Sequence, residues 1–332
     1  MLENPKVSII IPTYNRANYL AQAIESALAQ DYHNLEVIVS DNASTDNTQE
    51  IVKRYMRDTR FKYFRNEKNL GMAGNWRRAL YDYASGEWAM ILSDDDYLVD
   101  NSYISKATEL IRKYQDIKLV WGNYITLNEN SNIFKESNFK LNEFIDGKYY
   151  FIHYREHVAP HIHSTLTTLF NRIEAIKLGA FTKNISSLDT SLWLRFMVVG
   201  DIGFIKDNVA VYRVHEKNET FSTGIEIVFD DIEDIVGIYH CAERTGFFKQ
   251  KELKKWKIRQ IKTLFMWRFI QYFNSGKKEI AWELFKRVYK KYPFVIKAFF
   301  NPKILFFLIV NDNKVFIKLA KRAKDFFLTD MS

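Results

Sequence analysis

The sequence predicts an α/β fold in which helices flank a mostly parallel sheet, with a helical region at the C-terminus. Three observations predict it. Short apolar runs alternate with segments of helical spacing through residue 121. Polar loops directly follow several of the predicted strands. From residue 225 onward apolar residues recur at helical spacing, so we expect one domain over residues 1–224 and a second region over residues 225–332.

The first two elements establish the pattern. Val7–Pro12 is rich in β-branched residues and ends in proline, which suits a buried parallel strand. The apolar residues of Tyr19–Gln30 fall on one helical face, which predicts an amphipathic helix. The same alternation predicts strands at Leu35–Val39, Phe61–Phe64, Trp88–Leu92 and Lys118–Trp121, and helices at Thr48–Tyr55, Trp76–Tyr83 and Tyr103–Tyr114.

The pattern is irregular over residues 125–185, where Thr165–Phe170 is the predicted strand. Ser187–Thr190 then opens a helix that continues over Ser191–Val199. One interpretation of Asp189 or Thr190 is structural, as the N-cap of this helix. The remaining predicted elements are strands at Ile202–Ile205 and Val209–Val214, followed by helices at Ile225–Ala242, Lys251–Phe273, Lys278–Tyr292 and Asn313–Phe327.

Three polar loops follow predicted parallel strands, at Pro12–Asn15, Ser40–Asp46 and Ser93–Asp96. In open α/β sheets, ligands bind beyond the carboxyl ends of the strands. We therefore expect these loops to converge on one crevice.

Asp94, Asp95 and Asp96 form a run of three carboxylates at the end of an apolar strand. Like charges repel, and a bound divalent cation is the most economical reason for the run, since oxygen-rich sites suit Mg²⁺ or Mn²⁺. The alternative is a solvated acidic turn that caps the helix beginning near Ser102. The position of the run at a strand end favours the cation site.

Charge is distributed unevenly along the 332 residues, whose net charge is +8. Residues 249–332 contain 21 Lys and Arg against six Asp and Glu, whereas residues 1–248 contain 27 against 34. A basic tail suggests an anionic partner, and without any nucleic-acid-binding signature we expect a membrane surface rather than nucleic acid. The tail alternatively packs as ordinary buried helices or mediates homo-oligomerisation.

Other features bound the location of the chain. Cys241 is the only cysteine, so no internal disulfide can form. No leader is visible before the first strand, and the longest apolar run, Ile304–Val310, is far shorter than the roughly 18 residues of a membrane span. We expect a cytoplasmic protein, peripheral on the inner face of the cell membrane if the tail binds lipid.

Four motifs occur in order at family-like spacing: Val7–Asn15, Val37–Asp46, Asn69–Asn75 and Ser93–Asp96. Together they resemble a family 2 glycosyltransferase with the GT-A fold, a nucleotide-binding sheet flanked by helices. The resemblance covers about residues 5 to 220. A chain of ordered motifs is far more specific than any one of them.

The resemblance implies donor-binding residues at the ends of the first strands. Pro12, Thr13 and Tyr14 stand where the family holds the nucleotide base, with the Tyr14 ring against it. Asp41 matches a carboxylate that accepts a hydrogen bond from uracil. Asn69 also falls within the donor-binding set. Because Ser93 stands where the family motif usually begins with Asp, the resemblance leaves open which carboxylate contacts the ribose and which the metal; we assign Asp94 to the ribose and Asp95 to the metal.

The resemblance also implies a metal site and a base. Asp95, supported by Asp96, corresponds to the carboxylate that holds Mn²⁺ or Mg²⁺. His215 corresponds to a histidine that reaches the metal or the diphosphate. Asp189 matches the catalytic base, which takes the proton of the acceptor hydroxyl.

We therefore expect an inverting, metal-dependent glycosyltransferase that moves a sugar from a UDP-type donor to a saccharide or glycolipid acceptor during cell-surface polysaccharide synthesis. The chain departs from the family at Ser93 and Leu188, where members usually carry acidic residues. These departures favour the alternative of a nucleotide-sugar-binding interaction module without catalysis. A Rossmann dehydrogenase is disfavoured, because no GxGxxG motif follows the first strand.

Overall fold

A computed structural model describes residues 4–156, 158–162, 164–215 and 224–300. The chain divides into two compact units, residues 1–220 and 221–332. Each unit has its own hydrophobic core.

The first unit is built on a ten-stranded sheet whose first half is parallel. Its strands lie in the order β3-β2-β1-β4. The register places Thr13 opposite Asp41, so the polar loops after β1 and β2 begin side by side. The bounds are β1 Val7–Thr13, β2 Leu35–Asp41, β3 Phe61–Arg65 and β4 Trp88–Ile91.

The second half of the sheet is mixed, which the apolar periodicity did not predict. A short strand, β9, pairs antiparallel with both β4 and β6, and β6 pairs parallel with β10. Periodicity reports burial and not strand direction, so an antiparallel insertion is invisible to it. The bounds are β5 Tyr97–Leu98, β6 Ile117–Asn128, β7 Ile133–Glu136, β8 Phe144–Ile145, β9 Thr168–Asn171 and β10 Asp201–Val214.

One predicted pair of strands is a single strand. The segments Ile202–Ile205 and Val209–Val214 both belong to β10, and the register of β10 against β6 shifts between Ile205 and Asn208. The polar residues between the two apolar segments lie at this irregularity. They suggested a turn, although the strand continues through them.

Helices cover the sheet of the first unit. The apolar face of α1 is buried as its spacing predicts, with Leu20, Ile24 and Ala27 in the core. The π-helical segment Ala79–Tyr83 extends α3. The bounds are α1 Ala17–Leu28, α2 Thr48–Lys53, α3 Gly71–Arg78, α4 Tyr103–Lys113, α5 Gly147–His153, α6 Arg172–Lys177 and α7 Leu188–Val199.

The second unit is helical, with α8 Ile225–Thr245, α9 Gln250–Asn274 and α10 Lys278–Lys291, followed by the 3₁₀ segment Pro293–Phe300. Its core is rich in phenylalanine and includes Phe265, Phe269 and Phe285. Within the described ranges, no helix is both long enough and apolar enough to span a membrane. The predicted helix Asn313–Phe327 and the apolar run Ile304–Val310 lie outside the described residues.

Candidate active site

Side-chain and backbone hydrogen bonds join the loops after β1 and β2 into one edge. Asn42 N donates to Thr13 O (2.9 Å), and Asn15 N donates to Ser44 Oγ (3.0 Å). Thr45 N in turn donates to Asn15 Oδ1 (2.7 Å). Asn15 has a φ of 54°, a left-handed conformation that asparagine tolerates better than most residues. The carboxyl ends of β1 and β2 therefore meet, as the sequence predicts.

Asp41 lies at this edge, but it is fully buried. Its Oδ1 accepts from Ser44 N (2.8 Å), and its Oδ2 accepts from the Tyr63 hydroxyl (2.6 Å). Arg65 Nε lies 3.4 Å from the same Oδ2. Contact between Asp41 and a nucleotide base would require the side chains that cover this carboxylate to move, because Asp41 has no exposed surface. The uracil-binding role of Asp41 stays a prediction.

The other predicted donor-binding residues near this edge differ in accessibility. Pro12 is buried within β1 opposite Ser40, whereas the Tyr14 side chain is 43 % exposed. Asn69 Oδ1 accepts hydrogen bonds from Asn42 Nδ2 and Gly71 N, both at 2.8 Å. Tyr14 therefore has an accessible side chain, and its contact with a nucleotide base stays a prediction, while Asn69 holds the turn that opens α3.

Asp94 connects the end of β4 to the end of β1. Its Oδ2 accepts from Thr13 Oγ1 (2.7 Å), and its Oδ1 lies 3.3 Å from Arg16 Nη1. Burial, and then the negative charge of Asp95, raises the pKa of Asp94 to about 7, although Arg16 and Thr13 oppose the shift. The positive charge within reach does not fully compensate the carboxylates here.

Asp95 and His215 come together as the sequence analysis expected. His215 Nε2 lies 3.0 Å from Asp95 Oδ2, and both side chains are nearly buried. Arg16 Nη1 lies 2.5 Å from the same oxygen. Among the described residues no three His, Cys, Asp or Glu side chains cluster to hold an ion. The oxygen and nitrogen donors nevertheless fit Mn²⁺ or Mg²⁺, which often take few protein ligands and complete their shell with water and substrate phosphate.

Asp96 faces β10. It is buried, and its Oδ1 accepts from Arg213 N (2.9 Å). Burial and the charge of Asp95 raise its pKa well above the ordinary value. The hydrogen bond holds one carboxylate oxygen of Asp96 towards β10, and the supporting role of Asp96 at the metal stays a prediction.

A group of residues that the sequence analysis did not assign holds His215 and the Asp95 backbone. Arg213 Nη1 donates to Asp95 O (2.7 Å), and its Nε lies 3.2 Å from Glu129 Oε1. The Tyr19 ring stacks on the His215 imidazole with centroids 5.4 Å apart, and its hydroxyl donates to Glu129 (2.8 Å). Arg213 lies in β10 and His215 directly follows the last residue of that strand, so their spacing of two residues was the available signal that both side chains face the same way.

Asp189 lies in a second group, in the first turn of α7. The N-cap position belongs to Ser187, so Asp189 is inside the helix rather than its cap. Its Oδ1 accepts from Thr190 N (2.6 Å). Burial raises the pKa of Asp189 to about 6, although hydrogen bonds from Thr190 and the positive charge of Arg155 lower it. A carboxyl with a near-neutral pKa suits a general base.

A recess lies beside α7, along the face that presents Leu188, Ser191 and Arg195. Its opposite wall is the segment 178–185, which includes Lys183. The free volume is about 60 Å³. The recess therefore combines apolar walls with two cationic side chains, and Asp189 is not among the residues that line it.

Comparison with known proteins identifies the family. The sequence model described as Glycosyl transferase family 2 matches residues 8–174, which is half of the chain. A Campylobacter jejuni GalNAc(5)-diNAcBac-PP-undecaprenol beta-1,3-glucosyltransferase is 38 % identical over 134 residues, covering 40 % of this chain and 42 % of the relative. The Escherichia coli UDP-Glc:alpha-D-GlcNAc-diphosphoundecaprenol beta-1,3-glucosyltransferase WfgD is 36 % identical over 129 residues, covering 39 % and 49 %. The chain thus spans less than half the length of these relatives.

Solved structures agree on the fold. Residues 1–349 of Staphylococcus aureus TarS in complex with UDP-GlcNAc superpose with a TM-score of 0.57 at 17 % identity, covering 86 % of this chain and 92 % of that one. The mannosyltransferase PcManGT from Pyrobaculum calidifontis, in complex with GDP-Man and Mn²⁺, gives a TM-score of 0.55 at 18 % identity, covering 86 % and 76 %. The GT-A-like α/β architecture expected from the sequence is confirmed.

Proposed function

Because the chain belongs to glycosyl transferase family 2, we propose that it transfers a sugar from a nucleoside diphosphate donor, of the UDP type, to a saccharide or lipid-linked acceptor in cell-surface polysaccharide synthesis. The observation that carries the proposal is the meeting of Thr13, Asp94, Asp95 and His215 at the carboxyl ends of the strands. Two relatives are named for transfer to undecaprenyl diphosphate-linked sugars, which supports an acceptor of this class.

The donor would lie along the edge formed by the β1 and β4 ends. Tyr14 offers an exposed ring on which the base can stack, and Asp94 is near enough to Thr13 for both to contact the ribose. Thr13 orients one Asp94 oxygen, so a sugar hydroxyl would donate to the other once Arg16 moves. The base specificity assigned to Asp41 is part of the same proposal.

Asp95 and His215 would hold the divalent ion, Mn²⁺ or Mg²⁺. When bound, the ion neutralises the charge that develops on the departing diphosphate. The chain prepares for this by keeping Asp95 fixed: Arg213 binds its backbone carbonyl, and Tyr19 stacks on the imidazole of His215. The complex of PcManGT with Mn²⁺ supports a divalent ion in a protein of the same fold.

Asp189 would act as the general base. Its carboxylate takes the proton from the acceptor hydroxyl as the hydroxyl oxygen attacks the anomeric carbon and the diphosphate leaves. Thr190 N fixes the orientation of Asp189 Oδ1. A single displacement inverts the anomeric centre, so the proposal includes an inverting outcome.

The acceptor would approach from the side of α7. Lys183 and Arg195 line the recess beside α7, the helix that carries Asp189, and cationic side chains suit the phosphates of a lipid-linked acceptor. A lipid-linked acceptor is anchored in a membrane, so the enzyme would work at the membrane surface. We therefore place the protein in the cytoplasm, peripheral on the inner face of the membrane.

The helical unit would supply the membrane contact. Lysines of α9 and α10 such as Lys251, Lys254 and Lys290 are exposed, as is Trp267. Each lysine near an anionic surface contributes about 1 kcal/mol, and the attraction weakens with salt. Co-sedimentation of the full chain with phosphatidylglycerol vesicles at low salt, and release at high salt, supports this contact. A dimer in solution without vesicle binding supports a second copy as the partner instead.

A catalytically inactive binding module is the second candidate, favoured by Leu188, which is buried where the family usually carries an acid. One experiment separates the two. The full chain is incubated with a panel of UDP-sugars, an undecaprenyl diphosphate-linked sugar and Mn²⁺, and UDP release is coupled to product detection. Transfer that requires Asp189 supports the enzyme. Donor-dependent thermal stabilisation with no UDP release and no product supports the module.

A further inference from the structure

Arg16 lies directly between the edge loop of β1 and the first turn of α1, where it is the N-cap residue. Its Nη1 is 2.5 Å from Asp95 Oδ2 and 3.3 Å from Asp94 Oδ1. The Arg16 side chain is 22 % exposed, whereas those of Asp94 and Asp95 are only 6 % and 7 % exposed. One guanidinium thus bridges the two carboxylates that the proposed function assigns to the ribose and the metal.

The contact bears on metal binding because Arg16 and His215 both approach Asp95 Oδ2. A divalent ion such as Mg²⁺ binds a carboxylate oxygen at about 2.0–2.1 Å. This distance is shorter than those of Arg16 and His215 from Asp95 Oδ2. A guanidinium at 2.5 Å would also repel the incoming ion. An ion bound to Asp95 Oδ2 therefore competes with Arg16 for that oxygen and repels the guanidinium.

We propose that Arg16 is an internal counter-ion that occupies the cation position of the site until metal and donor arrive together. An ion that binds alone must displace Arg16 from Asp95 and leave it without that partner. A diphosphate that arrives with the ion gives the guanidinium a new anionic partner, since arginine pairs well with phosphate. The inference rests on the proposed metal site. It explains why the metal ion and the donor diphosphate would bind cooperatively.

The proposal predicts the direction in which Arg16 changes the coupling between ion binding and UDP binding. Loss of the Arg16 charge should tighten binding of the ion alone, because no cation then competes for Asp95. It should weaken the effect of UDP on ion binding, because the released guanidinium no longer meets the diphosphate. Coupling between two ligands is reciprocal, and a factor of about 5–150 is typical.

The test measures Mn²⁺ binding to the full-length protein by electron paramagnetic resonance of the free ion, without and with UDP. Arg16→Gln is compared with Arg57→Gln, which removes an equal charge from an exposed position. We expect Arg16→Gln to bind Mn²⁺ alone about tenfold more tightly than Arg57→Gln, with a smaller enhancement by UDP. Arg16→Lys, which keeps a cation in reach, should restore weak binding of the ion alone.

The outcomes are distinguishable. If the wild type binds Mn²⁺ with UDP but Arg16→Gln and Arg57→Gln have the same affinity for Mn²⁺ alone, the counter-ion role is wrong and the metal site stands. If the wild type binds no Mn²⁺ even with UDP, the metal assignment fails and the inference fails with it. Should Arg16→Gln not fold, Arg16→Met removes the charge while keeping a long side chain, and the same comparison applies.

Discussion

Two buried carboxylates at opposite ends of the parallel strands, Glu36 and Asp94, have opposite pKa shifts. Glu36, near the amino end of β2, accepts hydrogen bonds from Ser8 Oγ (2.6 Å), Ser85 N (2.7 Å) and Lys62 Nζ (2.7 Å). Burial alone would raise its pKa, but these partners together with Lys6 lower the pKa to about 2. At the amino ends, the buried charge is fully matched and serves the fold.

Asp94, at the carboxyl end of β4, shows the reverse. Burial and the neighbouring charge of Asp95 raise its pKa to about 7 in spite of Thr13 and Arg16. A carboxylate cluster that remains short of positive charge is destabilising by itself and favours a cationic ligand. The comparison teaches that the partners of Glu36 outweigh the cost of its burial, whereas burial and the charge of Asp95 outweigh the partners of Asp94.

The largest expected effect comes from Asp95→Asn. Loss of the carboxylate removes the proposed metal ligand, and a metal ion contributes several kcal/mol to charge stabilisation, so transfer should fall by about 10³- to 10⁴-fold. Thermal stability should change little, because the substitution relieves repulsion with Asp94 and Asp96 but also weakens the contacts of Asp95 with Arg16 and His215. Initial rates and melting temperatures measured on the same preparation check both parts, and transfer within tenfold of the wild type contradicts the assignment.

Asp189→Asn should lower kcat by about 10²- to 10³-fold, the range expected for loss of a general base. In the wild type, burial raises the Asp189 pKa to about 6, and the base works only when ionised. The rate should therefore fall below about pH 6, tenfold for each further pH unit, and stay level above it. Asp189→Asn should lose this acid limb, and an unchanged limb in the variant would assign it to another group.

Tyr14→Ala sharpens the comparison at the donor. Stacking between an aromatic ring and a base contributes about 1–3 kcal/mol, so KM for the donor should rise about tenfold while kcat changes little. Tyr14→Phe keeps the ring and is the matched control. Equal KM values for Tyr14→Ala and Tyr14→Phe would remove Tyr14 from the donor site.

Glu36→Gln should have the smallest effect on activity and a clear effect on stability. Its loss weakens charge-assisted hydrogen bonds, which contribute about 1.5–3 kcal/mol each, and urea unfolding at pH 7 should show a loss of about 2 kcal/mol. A lowered folded pKa contributes stability above the unfolded pKa that is lost as pH falls. The difference between wild type and variant should therefore shrink from about pH 5 towards pH 2, while activity per folded molecule stays at the wild-type level.

The sequence predicted the parallel edge well, because buried runs such as Val7–Pro12 and Trp88–Leu92 are followed at once by polar residues. Parallel strands bring such ends to one side. This reasoning predicted that the loops containing Thr13 and Asp94 converge, whereas the family resemblance alone suggested His215 near the metal site, and the structure joins Thr13 with Asp94 and His215 with Asp95.

Side-chain contacts between residues that are far apart in the sequence were not predictable from local motifs. Asp41 is buried under Tyr63 and Arg65, and the pairing of Asp41 with Arg65 follows from the β2–β3 register rather than from any local motif. The Arg16 bridge likewise joins residues 79 positions apart. A cation immediately after the first strand, with three carboxylates expected opposite, was the signal that could have suggested it.

The most direct test of the proposed cation site at Asp95 is isothermal titration calorimetry of UDP binding to the full chain, with and without Mn²⁺. The proteins compared are the wild type, Asp95→Asn and Glu36→Gln. The account predicts that Mn²⁺ strengthens UDP binding by the wild type and by Glu36→Gln, whereas Asp95→Asn loses the Mn²⁺ dependence. Equal Mn²⁺-dependent binding of UDP by Asp95→Asn and the wild type would contradict it.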